Sequence, residues 1–144
     1  MAKKGNRLRN QAAGSNPIKG QAGTVSQQPP PHLCLNFSRF DPTQGQSFEH
    51  WHEKGLLLKA VHRWREQCKK SVRECEQEKG FSVYGEIPGH SEFKHPRHIP
   101  KDAQWASMHL QGAPCVIGHV IGNVFYVVFL DEEHKFWPVA KKHT

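Results

Sequence analysis

The sequence predicts an α+β domain in two layers: a strand, a two-helix pair, then an antiparallel sheet of three to four strands packed on the helices. Three observations carry this expectation. Residues 115–130 form two apolar runs, β-branched and aromatic, on either side of Gly122-Asn123, the pattern of a two-residue hairpin. Phe48, Trp51, Leu57, Val61, Trp64, Cys68, Val72 and Cys75 recur at steps mostly of three and four, as one face of an amphipathic helix does. Leu33, Leu35 and Phe37 alternate with Cys34, Asn36 and Ser38, as in a half-buried strand.

In chain order, residues 1–31 hold Lys3, Lys4, Arg7, Arg9 and Lys19 and no acid, and end on Pro29-Pro30-Pro31. They are expected to be a disordered basic leader, either solubilising or able to touch phosphate, ahead of a single α+β domain over 32–144. The first strand, 33–40, ends at Asp41-Pro42. Ser47 caps a helix that enters at Phe48. Ser71-Val-Arg-Glu74 is a capping-box pattern, so two helices are expected, at about 47–69 and 71–79, with Gly80 closing the second. Phe81, Val83 and Tyr84 suit a short strand. Residues 85–103 hold Pro, His and Gly with no period, and irregular segments of this length are usually functional. Residues 105–110 alternate again, with Met108 and Leu110 opposite Trp105, Ser107 and His109. If Met108 and Leu110 enter the core, His109 joins the face of His119 and Tyr126. A last strand is expected at His134–Trp137, before Pro138 and a basic tail at 141–144.

In the hairpin, a two-residue turn sets the register. Gly122 suits the first position of a type II′ turn. Ile121 then faces Val124, Val120 faces Phe125, His119 faces Tyr126 and Gly118 faces Val127. One face carries Val116, Gly118, Val120, Phe125, Val127 and Phe129. The other carries Ile117, His119, Ile121, Val124, Tyr126, Val128 and Leu130. Both are apolar apart from the His119/Tyr126 pair, so the ribbon is expected to be central in its sheet.

The formal charge of +7 resides mostly in the leader, since residues 32–144 carry 15 basic and 13 acidic groups, a net of +2. The domain is not a uniformly basic nucleic-acid binder. The four cysteines, Cys34, Cys68, Cys75 and Cys115, include no C-x-x-C, which together with the absence of a signal peptide suggests reduced thiols in a cytoplasm. No apolar run approaches the roughly 18–20 residues of a membrane span. Walker, dinucleotide and G-x-S-x-G patterns are absent.

Four residue groups carry chemistry. His119, Tyr126 and His109 on one sheet face, with His134 and Lys135, have the parts for metal-free RNA cleavage: a base, an acid and cations for the phosphate. Arg97, His98 and Lys101 of the long loop suit phosphate contact, and Tyr126, Trp105 or Trp137 could stack a base. The bland alternative is a satisfied His119–Tyr126 cross-strand pair. His90, His95, His98 and Glu92, with His50 and His52, have ligand chemistry but no metal-motif spacing, so no metal and no cofactor is expected. The helical face of Leu57, Val61, Trp64 and Cys68 is core, and its outer basic side is a solvated face. Gln44-Gly-Gln-Ser-Phe48 is faintly similar to peptides that dock in bacterial sliding clamps, through Gln44 and Phe48; the alternative is a helix entry with Phe48 in the core.

The run from His109 to Gly118, then Val124 to Asp131, then His134-Lys-Phe136, resembles the closing strands of small bacterial type II toxins of the RelE/HigB/ParE superfamily. The resemblance covers about residues 33–138, as topology and final strands. It implies a RelE-like two-layer fold, a ribosome-dependent mRNA endonuclease without metal, and a cognate antitoxin as partner. By that analogy His109, His119, Tyr126, His134 and Lys135 are the catalytic positions. The chain lacks the arginine such toxins usually present at the strand corresponding to Cys115-Val116. A non-catalytic toxin or binding protein acting on a replication or translation component is the alternative, and a metal-binding histidine loop a second one.

Overall fold

In the computed structural model residues 28–138 are described; the leader up to residue 27 and the tail from 139 lie outside them. The chain runs β1 (Cys34–Asn36), α1 (Phe48–Glu53), α2 (Leu56–Gln67), α3 (Val72–Glu76), β2 (Phe81–Gly85), β3 (Gln104–His109), β4 (Cys115–Ile121) and β5 (Val124–Asp131). The class is α+β, as expected, but the sheet is mixed and has five strands in the order β1-β5-β4-β3-β2. Strand β1 lies parallel to β5, pairing Leu35 with Phe125. The four strands after the helices, β2 to β5, form the expected antiparallel sheet, and the parallel pairing of β1 at its edge makes the whole sheet mixed and five-stranded. The expected strand at His134–Trp137 is irregular chain.

Three helices stand where two were expected. Gly55 adopts φ 74, a left-handed conformation open to glycine, and this separates α1 from α2. The capping box is present: Ser71 accepts from the Glu74 amide at 3.2 Å, and Glu74 accepts from the Ser71 amide at 2.9 Å. Ser71→Ala is expected to lower stability by about 1 kcal/mol, measured by urea denaturation. No helix among the described residues is long and apolar enough to cross a membrane.

The β4–β5 ribbon is central, flanked by β3 and β1. Its turn has φ 60 at Gly122, while Asn123 is not left-handed, which fits the type II′ geometry. The expected pairs from Ile121–Val124 to Gly118–Val127 are all present. Beyond them the register shifts: Ile117 pairs with Phe129, Val116 with Leu130 and Cys115 with Asp131. Val128 is the extra residue of a β-bulge. Its carbonyl accepts from the Asp41 amide at 2.9 Å, so the segment after β1 uses the group the bulge displaces. The bulge exchanges two residues between faces. Leu130 joins the helix-side core with Trp51, Trp64, Met108, Val116, Phe125 and Val127, and Phe129 goes to the far side.

That far side is covered. Phe93, Ile99 and Ala103 from the 86–103 segment, and Phe136 from beyond β5, pack with Trp105, Cys115, Ile117, Val128 and Phe129 into a second core. Phe93 lies 4.6 Å from Phe129, and Trp105 stacks on Phe129 at 5.7 Å. The histidine-rich segment is a packed cover whose apolar side chains point inward and whose imidazoles line its rim.

Candidate functional site

The covered face leaves polar groups at its two ends. One row crosses the sheet through Trp105, His119, Tyr126 and Asn36, each paired with the next. A second row crosses through His109, Cys115 and Asp131. Cys115 and His119 are four residues apart on β4, about 13 Å along the strand. The five positions expected to act together thus fall into separate groups: His119 with Tyr126, and His109 with His134, whose rings are 4.8 Å apart. Lys135 belongs to neither, because its ammonium pairs with Glu133 at 2.9 Å and Glu92 at 3.9 Å.

At the first end, the His119 ring stacks on Tyr126 at 4.9 Å and meets Trp105 edge-on. Arg39, just past β1, donates from Nη1 to His119 Nε2 at 3.1 Å, and its guanidinium lies 4.1 Å over the Tyr126 ring. That bond puts the His119 proton on Nδ1, which is buried and has no partner among the described residues. His119 is 0% exposed. Burial, then the charges of Arg39, His95 and His98, push its pKa down to about 4. It is neutral near pH 7 and out of reach of a substrate, which fits a support for Arg39 better than a general base.

The loop histidines close this end. His98 is exposed and donates to the Arg39 carbonyl at 2.8 Å. His95, also exposed, donates to the Ile99 carbonyl at 3.0 Å and packs edge-on to Trp105. Arg97 and Lys101 are exposed beside them. Among the described residues none of Arg39, Arg97 and Lys101 forms an ion pair. Arg39 is the residue missed from the sequence; only the parallel pairing of β1 with β5 brings it over Tyr126.

At the second end, Cys115 Sγ is 3.8 Å from Asp131 Oδ2. Burial, then the Asp131 charge, push the Cys115 thiol well above its usual range, so it is not an activated nucleophile. Asp131 is fixed by the Lys135 and Phe136 amides at 2.9 and 2.8 Å. Burial and the His134 charge lower the His109 pKa, against the opposing pull of the Gly112 backbone.

The remaining expected groups make contacts within the fold. Gln44 accepts from the Lys94 amide and donates to its carbonyl, both at 2.8 Å, tying the segment after β1 to the cover. Phe48 packs against Phe40 at 4.5 Å and Phe37 at 6.0 Å. His50 pairs with Glu132 at 2.8 Å, and His90 packs edge-on to Trp137. The loop set of His90, His95, His98 and Glu92 is not brought together as a ligand cluster among the described residues; the one that is consists of His109, Cys115 and His134.

No protein-family model matches the chain, and no curated protein or solved structure matches it.

Proposed function

We propose that the protein engages single-stranded RNA at the Arg39–Tyr126 end of the sheet and cleaves it, as a toxin-type endoribonuclease does. The observation that carries this reading is the Arg39 guanidinium held over the Tyr126 ring by buried His119, with exposed His98 bound to the Arg39 backbone carbonyl. A guanidinium matches a phosphate, and an aromatic face takes an unpaired base. His95 and His98 present exposed imidazoles, the side chain best suited to act as base and acid in 2′-hydroxyl attack. Arg97 and Lys101 add cations along the rim. The ribosome as setting and an antitoxin as partner rest on the resemblance to RelE-type toxins. The RelE-like arrangement rests on the same resemblance, to which the helices on one face and the histidine-bearing turn after β5 lend support.

The test is cleavage of a defined mRNA by the full chain, with and without ribosomes. Arg39→Ala is expected to reduce cleavage about 100-fold, the scale of losing one transition-state contact, with the melting temperature followed as a control. His98→Ala is expected to reduce it by a similar order. An intact mRNA under conditions where translation stops would overturn the nuclease reading. It would favour a toxin that acts by binding.

A further inference from the structure

The second end of the sheet carries a separate inference, independent of the RNA reading. We propose that His109, Cys115 and His134 bind one zinc ion, with the fourth coordination position open to solvent.

His109 and Cys115 are direct partners on β3 and β4, so two strands fix their spacing. The β5 bulge brings Asp131 opposite Cys115, and the chain turns back after it to deliver His134. One possible ligand atom from each of His109, Cys115 and His134 lies within 4.8 Å of the others. In a tetrahedral zinc site such atoms are roughly 3.5 Å apart. The difference is at most about 1.3 Å, and His109 and His134 are both half-exposed and can turn to close it. Imidazole and thiolate together suit zinc and exclude magnesium or calcium, which take oxygen.

Two further observations point to a ligand. The ring of His134 bonds through Nδ1 to the Trp137 carbonyl at 2.8 Å. The carbonyl accepts, so Nδ1 carries the proton and Nε2 keeps its lone pair, the outer-shell arrangement that orients metal-binding histidines. His134 is also the non-glycine residue with positive φ among those described, at 63°. Such a conformation costs about 1 kcal/mol or more and persists where the surroundings hold it. Here it aims the imidazole back at His109.

Cys115 is 2% exposed, so a substrate cannot reach it as it would a catalytic cysteine. Its sulfur faces the Asp131 carboxylate, an arrangement that disfavours a bare thiolate and is relieved by a divalent cation. Binding replaces the S–H bond with a Zn–S bond and releases the thiol proton to solvent. Asp131 stays behind the sulfur as a positioning residue, held by two backbone amides.

The experiment uses the full chain without a histidine tag. Its zinc content is measured by mass spectrometry, and cobalt(II) is added to follow the thiolate charge-transfer and tetrahedral d–d absorption. One zinc per chain is expected. Affinity should fall at least about 100-fold in Cys115→Ser and in His134→Gln, and stay unchanged in a His52→Gln control, whose histidine is exposed on α1. His134 is half-exposed, so its variant remains informative if Cys115→Ser fails to fold. A wild-type affinity no tighter than micromolar, or zinc retained in folded His134→Gln, overturns the proposal. So does a cobalt thiolate band that survives Cys115→Ser.

Discussion

Gly118→Ala is expected to destabilise the protein by about 3 kcal/mol or more. Where the native backbone accepts alanine without strain, a glycine-to-alanine change stabilises by up to about 1 kcal/mol, because it restricts the unfolded chain. The opposite sign follows from the ribbon. A β-carbon at Gly118 would fall on the carbonyl oxygen of Tyr126 and within 2.6 Å of the Phe125 ring. The oxygen belongs to the backbone of the central strand pair and cannot yield as a flexible side chain would. Gly118 also sits at the register shift, so relief of the clash would have to move Val128 and the Asp41 amide bound to it. Equilibrium unfolding in urea measures this directly. A loss under about 0.5 kcal/mol would mean that the ribbon does not approach so closely.

The same bulge decides how much of the molecule could be read from sequence. The turn, the first pairs of the hairpin and the capping box follow from local chemistry and stand as expected. So does the placement of Met108 in the helix-side core, which puts Trp105 and Ser107 on the opposite side. An unbroken register, however, places Leu130 opposite Cys115, and one extra residue substitutes Asp131. No residue type in Phe125–Asp131 announces the insertion, because Val, Phe and Leu fit either face. The Cys115–Asp131 pair was hidden for that reason, and with it the meeting of His109 and His134. Arg39 was hidden for a second reason. It follows a three-residue strand whose parallel partner is some 90 residues away, and no local pattern encodes that pairing. The loop over 85–103 was legible as unusual, but its work as a lid on a second core depends on Phe93 and Ile99 meeting Phe129 and Trp105.

Stability is expected to fall by about 3 kcal/mol as the pH drops from 6.5 to 4, through His119 alone. An ordinary histidine takes up its proton near pH 6.5, and the unfolded chain does so freely. In the folded chain burial, then Arg39, His95 and His98, hold the His119 pKa down to about 4. Between those values the unfolded state binds the extra proton and the folded state does not. Stability is therefore complete above pH 6.5 and declines as the pH falls towards 4. Above about pH 4.5 the window is separable from that of the depressed carboxylates Asp41, Glu74, Glu78 and Glu133, whose contributions are lost as the pH falls through and below the ordinary carboxylate range. His109 is depressed as well and adds to the same slope, so the His119 part must be isolated by substitution. His119→Gln keeps an acceptor for Arg39 and cannot titrate. Urea denaturation at pH 7 and pH 4.5 should show a steeper loss in the native protein than in the variant. If RNA cleavage depends on Arg39 and not on His119 as a base, the variant also keeps most of its activity while Arg39→Ala does not. Parallel pH slopes in native protein and variant would mean that the His119 imidazole is not the neutral, buried support of the Arg39–Tyr126 stack.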